Sequence, residues 1–454
     1  MTEHTREFDL TDLSISNLRT AYAQGLTPLQ LVEYLLERIQ AEDSGDSHQV
    51  WIYQLSADWL RDYTQQLARK NPADLPLYGI PFAIKDNIDL AGVPTTAACP
   101  NFANVPTTSA TVVQKLMDAG AIPLGKTNLD QFATGLNGTR SPYGVARNSI
   151  NPEYIAGGSS SGSALTVALN LASFALGTDT AGSGRVPAAF NQLVGVKPTC
   201  GLLSNSGVVP ACRSLDSISI FAKNAADSLT VLEVAQGFDP KEPYSKPILL
   251  AEPKLVKTIG IPRADQLQFF GDSDYAALFA KAIHQLQAQG FSVQEVDFTP
   301  FLEAAKLLYA GPWVAERYHV VQHLIQQQPD SLLPVIRQII GKATQFSAVD
   351  CFAAFYQLAE YKCQANQIMA SVDVMLTPTA GTIFKINDML ANPVELNNQL
   401  GYYTNFMNLL DFSAIALPAG QRADGLPFGI TFFAAAAQDL TLLDLAQQLE
   451  QVLG

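Results

Sequence analysis

Charge is scarce in this chain, and positive charge is scarcest. Charged residues fill 15% of the 454 positions, and 28 Lys+Arg stand against 42 Asp+Glu, for a net charge of −14. Such a surface repels polyanions, which disfavours nucleic acid and anionic membranes as partners. Long apolar runs are missing too: none reaches the roughly 18 residues a membrane helix needs. The N-terminus, MTEHTREFDL, lacks the basic and apolar regions of a secretory signal. The five cysteines (Cys99, Cys200, Cys212, Cys351, Cys363) are odd in number and contain no CxxC. That excludes a disulfide framework and a structural zinc of ordinary spacing, and it points to a cytosolic protein with reduced thiols. Histidine is as rare, at five (His4, His48, His284, His319, His323), and no one of them stands out as a catalytic base.

What is present is ample apolar material, 48% of the chain, enough to bury a core without staples. The first 70 residues read as helical, with Thr27 as N-cap, Pro28 at the first helical position and an amphipathic LQLVEYLLERI after it. From Leu77 short apolar runs alternate with helical stretches. YGIPFAIK, AIPLGK and SFALGT read as buried strands, ATVVQKLMDAG as a helix capped by Ser109, and 164–173 as a buried helix. Residues 133–163 are rich in Gly, Ser and Asn with little periodicity, and 180–187 form a Gly-rich loop. From about 265 to 370 the texture is helical again. VDVMLTP and FGITFF then read as strands, and AQDLTLLDLAQQLEQVL as the closing helix. Strands alternating with helices predict an α/β sheet covered on both faces. With no repeat and no linker, 1–454 reads as one catalytic unit with a helical insertion.

Three motif matches fail on context. Gly120 to Thr127 fits the P-loop pattern, but a helix precedes it and the supposed loop is apolar and contains Pro123. Gly158-Ser159-Ser160-Ser161-Gly162 fits the G-x-S-x-G elbow around Ser160, but the preceding NPEYIAG is turn-like and no histidine is placed to serve. His319 and His323 have i,i+4 metal spacing without an acidic or Cys cluster, so no metal site is assigned.

Three segments carry chemistry instead. Gly79-Ile-Pro-Phe-Ala-Ile-Lys85 puts a lysine at the end of an apolar strand, where desolvation favours the neutral amine and a neutral lysine can act as a base. Gly157-Gly158-Ser159-Ser160-Ser161-Gly162-Ser163 concentrates hydroxyls on permissive backbone. Gly177-Thr178-Asp179-Thr180-Ala181-Gly182-Ser183-Gly184-Arg185 leads a strand into a turn whose amides can converge on an anion. Taken singly, each is equally compatible with a surface lysine, a linker or a tight turn.

In order along the chain, GIPFAIKDNID, GKTNLDQFATGLNGTRSPYG, GGSSSGSAL and GTDTAGSGRVPAA resemble the amidase signature family. The resemblance implies that family's fold, a large mixed central β-sheet covered by helices on both faces. It also implies a Ser–cis-Ser–Lys triad, with Ser183 as nucleophile, Ser159 as the cis-serine 24 residues before it, and Lys85 as base. The oxyanion donors would be the backbone amides of Thr180, Ala181, Gly182 and Ser183. Within the family, TNLDQFATGLNGTRSPYGVARN, LVGVKPTCGLLSNSGVVPACRSLDSISIFA, GYYTNFMNLLDFSAIALPAG and LLYAGPWVAERY are similar to the allophanate hydrolases. That subgroup implies a Tyr and an Arg eight residues apart on the substrate carboxylate, here Tyr309 and Arg317. On spacing alone, Arg317 pairing with a nearby acid such as Glu316 and Tyr309 packing in a helix would be the preferred reading; the resemblance reverses it.

The expectation is thus a cytosolic hydrolase of a small carboxylated amide, allophanate, with no metal and no organic cofactor. The family implies a homodimer and a functional link to a urea carboxylase. Longer allophanate hydrolases carry a C-terminal domain linked to decarboxylation, and this chain, ending at Gly454, is expected to lack it. Rival readings are an amidase for a biuret derivative or simple carboxamide, the amidase subunit of a tRNA-dependent amidotransferase (which should show a basic face), and a non-catalytic scaffold. No functional account attaches to the Ala434–Ala437 run.

Overall fold

Among residues 8–43 and 48–453, which the computed structural model describes, eleven strands form one mixed sheet. The polar N-terminal heptad with His4, and Gly454, lie outside those residues. The strands are β1 Trp51–Gln54, β2 Pro81–Lys85, β3 Ile122–Thr127, β4 Phe174–Asp179, β5 Val194–Lys197, β6 Ser217–Ala222, β7 Thr258–Pro262, β8 Ser292–Val296, β9 Val374–Pro378, β10 Phe412–Gln421 and β11 Pro427–Ala435. Their order is β1-β3-β2-β4-β6-β5-β10-β11-β9-β7-β8. β3, β2 and β4 run parallel, as do β9, β7 and β8, and the pairs between those blocks are antiparallel.

Every residue of β2, β3, β4, β5, β6 and β9 is buried. A strand buried at both odd and even positions has both faces of its sheet covered, as in PFAIK of β2 and VMLTP of β9, which lack polar alternation. The helices Ser161–Ala168, Val186–Phe190, Ala225–Ala235 and Asp439–Leu453 supply that cover. The edge strands differ: β1 and β8 are short and part-exposed, which discourages edge-to-edge pairing.

Most of the elements read from the sequence are present. Pro28 opens the helix Pro28–Asp43, and Thr27 and Gln30 close a reciprocal cap, Gln30 N–H donating to Thr27 Oγ1 (3.2 Å) and Thr27 N–H to Gln30 Oε1 (2.9 Å). Three readings need correction. The first 70 residues are not all helical, because β1 lies among them, held by antiparallel pairing to β3. Ser109 does not cap the helix Thr111–Asp118: Ala110 holds the cap position, and the Ser109 hydroxyl accepts from the Ala91 amide instead. The stretch 265–370 is not all helical, because β8 lies within it; SVQEV carries no apolar run, and its place is fixed by backbone pairing to β7. The apparent P-loop is the buried strand β3, with Lys126 Nζ donating to Thr95 Oγ1 (2.8 Å) and paired to Asp86 Oδ1 (3.0 Å). No helix among the described residues is long and apolar enough to cross a membrane.

Two satellite cores hang the insertion on this sheet. Phe301, on helix Thr299–Tyr309, lies 5.3 Å from Phe406 and 6.0 Å from Phe433 of β11, which anchors the helix that ends at Tyr309. Val321 and Leu324, on helix Val314–Gln327, pack with Phe132 and Ile336, which anchors the helix that carries Arg317. Between the parallel neighbours β2 and β4 the Phe82 and Phe174 rings stack at 5.2 Å, with neither residue exposed. Phe174→Ala is therefore expected to cost about 3–5 kcal/mol of stability, measured by urea unfolding against the unsubstituted protein.

Candidate active site

Lys85 ends β2 with neighbours on both sides, and its side chain is 0% exposed. The amine meets two hydroxyls, with Nζ 2.8 Å from Ser159 Oγ and 2.8 Å from Thr178 Oγ1 of the adjacent β4. Burial pushes its pKa down to about 7, against the pull of Asp130, Asp216 and Asp179. An amine in that range is present in both forms near neutrality and can give or take a proton.

Ser159 follows a cis peptide bond from Gly158, just before the helix Ser161–Ala168. Its carbonyl accepts from the Asp130 amide (3.1 Å). Glycine is required at 158 by space: a Cβ there would stand 2.3 Å from Asp130 Oδ2 and 2.7 Å from the Gly138 nitrogen. Ser160 is structural. Its hydroxyl donates to the Thr178 carbonyl (3.1 Å) and accepts from the Thr178 amide (3.3 Å), which locks this turn onto β4.

The turn after β4 is organised by Asp179. Its carboxylate takes the amides of Gly182 (2.9 Å) and Gly184 (3.0 Å) and a two-point ion pair from Arg185 (2.9 and 3.0 Å), all buried. Burial alone would raise the Asp179 carboxyl, but the Arg185 guanidinium and these donors hold it below the usual carboxylate range. Gly182 sits at φ +125° against Thr404, a conformation and a fit that favour glycine. The four amides expected as oxyanion donors are not equivalent in this turn. The Gly182 amide is taken by Asp179, whereas the amides of Thr180, Ala181 and Ser183 have no protein acceptor among the described residues. Thr180 Oγ1 bonds the Asp216 carboxylate, which burial pushes up to about 6.

The structure joins Lys85 to Ser159. It does not bond Ser159 to Ser183: the Ser183 hydroxyl, 2% exposed, donates to the Gly135 carbonyl at 3.4 Å. Tyr309 and Arg317 do come together. Tyr309 is the last residue of its helix and Arg317 lies in the first turns of the next, beyond Gly311-Pro312. Arg317 Nη2 donates to Tyr309 Oη (3.1 Å), and Nη1 to the Ala133 carbonyl (3.1 Å) and Thr134 Oγ1 (2.9 Å). Arg317 is 2% exposed and its Nε has no partner among the described residues. Glu316 is not its partner but accepts from the Ser214 amide (2.9 Å). The two groups of residues meet on one segment: Ala133 and Thr134 hold Arg317, and Gly135 holds Ser183.

Several residues that shape the site do not stand out in the sequence as functional. Thr178, Asp179 and Arg185 sit inside the Gly-rich motif, and an acid at a strand end with an arginine six residues on is the signal that could have found them. Asp216 gives none, since it reaches Thr180 across 36 residues. His323 packs near the Phe102 ring, with centroids 6.2 Å apart.

The amidase family profile matches residues 30–443. The chain is 45% identical over 427 residues to the urea amidolyase of Saccharomyces cerevisiae, covering 92% of this chain but only 23% of that protein. It is 34% identical over 413 residues to the A-type subunit of a glutamyl-tRNA(Gln) amidotransferase from Picosynechococcus, covering 83% of this chain and 84% of the relative. Among solved structures, a Kluyveromyces lactis allophanate hydrolase superposes with a TM-score of 0.92 at 41% identity, covering 97% of this chain and 72% of that one.

Asp179→Asn should leave Arg185 buried without its counter-charge. Breaking one side of such a pair costs about 3–5 kcal/mol, read as a lower midpoint in denaturant unfolding.

Proposed function

The chain belongs to the amidase family, and from that premise we propose that it hydrolyses the amide C–N bond of allophanate, releasing ammonia through an acyl-enzyme on Ser183. The observation that carries this reading is the shared segment Ala133–Gly135, which ties a buried guanidinium–phenol pair to the hydroxyl of Ser183. Allophanate is a small amide with a carboxylate. A planar guanidinium binds a carboxylate at two points and a phenol adds a third, and Arg317 and Tyr309 fill those roles. The 41% identity to an allophanate hydrolase across 97% of the chain supports the same substrate.

In this reading Ser183 Oγ attacks the amide carbonyl. Its proton passes to Ser159 as the Ser159 proton passes to neutral Lys85, along the 2.8 Å contact between those two groups. The tetrahedral oxygen gathers charge beside the free amides of Thr180, Ala181 and Ser183, each worth roughly 3 kcal/mol when aimed at it. Collapse breaks the C–N bond, and the proton returns through Ser159 to the departing ammonia. Water then attacks the ester, gives up a proton by the same relay, and restores Ser183. No metal or organic cofactor enters the scheme.

The chain acts as one catalytic unit, with the part around 265–370 contributing carboxylate recognition, in the cytosol and as a homodimer. Urea carboxylation is the reaction that would supply its substrate, in keeping with relatives named urea amidolyase. A second reading, an amidotransferase A-type subunit, draws support from the 34% relative. The net charge of −14 speaks against a tRNA-linked role.

Ammonia release from allophanate, malonamate, biuret and propionamide tests the assignment. Turnover confined to allophanate and malonamate is expected, and turnover of propionamide alone would discard the substrate. Ser183→Ala should lower kcat by about 10⁴-fold with the melting temperature retained. The pH profile carries a definite sign. Below about 7 Lys85 is an ammonium and cannot accept a proton, so kcat/KM should rise with pH through about 7 and level above it. Lys85→Met should abolish that limb along with the rate. Arg317→Ala should raise KM for malonamate by about 10- to 100-fold, and an equal loss on propionamide would make Arg317 structural.

A further inference from the structure

A cavity of about 430 Å³ opens beside Tyr309, between the helix Thr299–Tyr309 and the stretch 394–405. It is close to the chemistry. Asn397 in its wall accepts from the Leu136 amide (2.8 Å), the residue next to Gly135, whose carbonyl receives Ser183. Its charge runs against that of the protein. Arg140, Lys306 and Lys342 line it with one carboxylate, Glu303, and Lys306 pairs with Glu303 at 2.5 Å. Neither Lys342 nor Arg140 has an ion-paired carboxylate among the described residues, and the carboxylate whose charge Arg140 feels is the nearby Asp130.

Arg140 is the unusual one. It is 2% exposed, and its side chain meets only neutral acceptors among the described residues: Nη1 donates to the Thr134 carbonyl (2.8 Å) and Nη2 to the Pro393 carbonyl. Its Nε has no partner among them. The nearby Asp130 carboxylate is instead engaged by the amides of Asn137 (3.1 Å), Gly138 (3.1 Å) and Arg140 (2.9 Å). Thr134 therefore stands between two buried guanidiniums, with its carbonyl on Arg140 and its hydroxyl on Arg317. A neutral donor could tie Thr134 to Pro393 without burying a charge that has no ion-paired carboxylate. An anion arriving through the cavity supplies the direct ion pair that Arg140 lacks beside the more distant charge of Asp130.

We infer that this cavity is the approach path for the carboxylated substrate, with Lys342 at its exposed rim drawing the anion in and Arg140 on its inner wall passing it to Arg317 and Tyr309. This rests on the reading of the site as a hydrolase of carboxylated amides. Field focusing of this kind acts on the association rate of charged substrates and is screened by salt.

Steady-state kinetics with malonamate and propionamide across roughly 20–300 mM salt tests it. The wild-type kcat/KM for malonamate should fall several-fold over that range while that for propionamide stays flat. Lys342→Gln should lower the low-salt malonamate value and flatten the slope. Arg140→Gln should cut the malonamate-to-propionamide ratio of kcat/KM by about tenfold or more, an amount in line with losing a charged hydrogen bond, and Arg140→Lys should keep much of the ratio. A wild-type ratio insensitive to salt, with Lys342→Gln unchanged from it, would overturn the approach path. Equal losses on both amides in folded Arg140→Gln would reduce Arg140 to a staple. If Arg140→Gln does not fold, the Lys342→Gln slope and the Arg140→Lys ratio decide. Failure of the wild type to hydrolyse either allophanate or malonamate would strike the functional reading itself.

Discussion

Everything around the candidate site is arranged so that one amine can be buried without acquiring a carboxylate. Lys85 lies in a strand closed on both faces, and three acids sit within its field: Asp130, Asp179 and Asp216. Each is already committed. Asp179 holds Arg185 and two glycine amides, Asp130 holds three backbone amides, and Asp216 holds Thr180 and the amides of Ala211 and Cys212. A direct pair with any of them would stabilise the ammonium and lift the lysine out of the range where it exchanges protons. What the amine meets instead are hydroxyls, which accept it in either form.

The same acids build the backbone of the site. The turn after β4 is wound around the Asp179 carboxylate, and the 130–140 segment around that of Asp130. A carboxylate receiving several N–H donors fixes a loop more firmly than neutral contacts do. These loops carry little hydrophobic periodicity because their order comes from such inward-facing polar groups. Side chains that elsewhere would mark a solvated surface are here wholly enclosed: Lys85, Lys126, Arg185 and Lys197 are all 0% exposed.

This explains what is legible in the sequence and what is not. Strands β2, β3, β4 and β9 are uninterrupted apolar runs, so they can be read directly. β8 owes its existence to pairing with β7 and has no apolar run of its own, and the apolar run of β1, only three residues long within WIYQ, is told from a helical stretch by its pairing to β3. Lys85, Ser159 and Ser183 stand out through their motifs, and the pair Tyr309–Arg317 through its spacing within a resemblance. That the Gly182 amide turns to Asp179 is not legible, because a motif names residues without saying where their N–H groups point. Asp216 and Arg140 are invisible for a different reason, since their partners are set by tertiary approach of segments far apart in sequence.

The three residues Ala133, Thr134 and Gly135 have a consequence for energetics. The chain enters this segment through left-handed backbone at Phe132 and Ala133 (φ 50° and 51°), which bends it sharply. Arg317 grips one end and Ser183 leans on the other. A ligand that draws donors away from Ala133 and Thr134 alters the footing of the Gly135 carbonyl, and release of Ser183 from that carbonyl alters the grip on Arg317. If a ligand at Arg317 is coupled in this way to the Ser183 hydroxyl, thermodynamic reciprocity requires each to shift the other by the same factor.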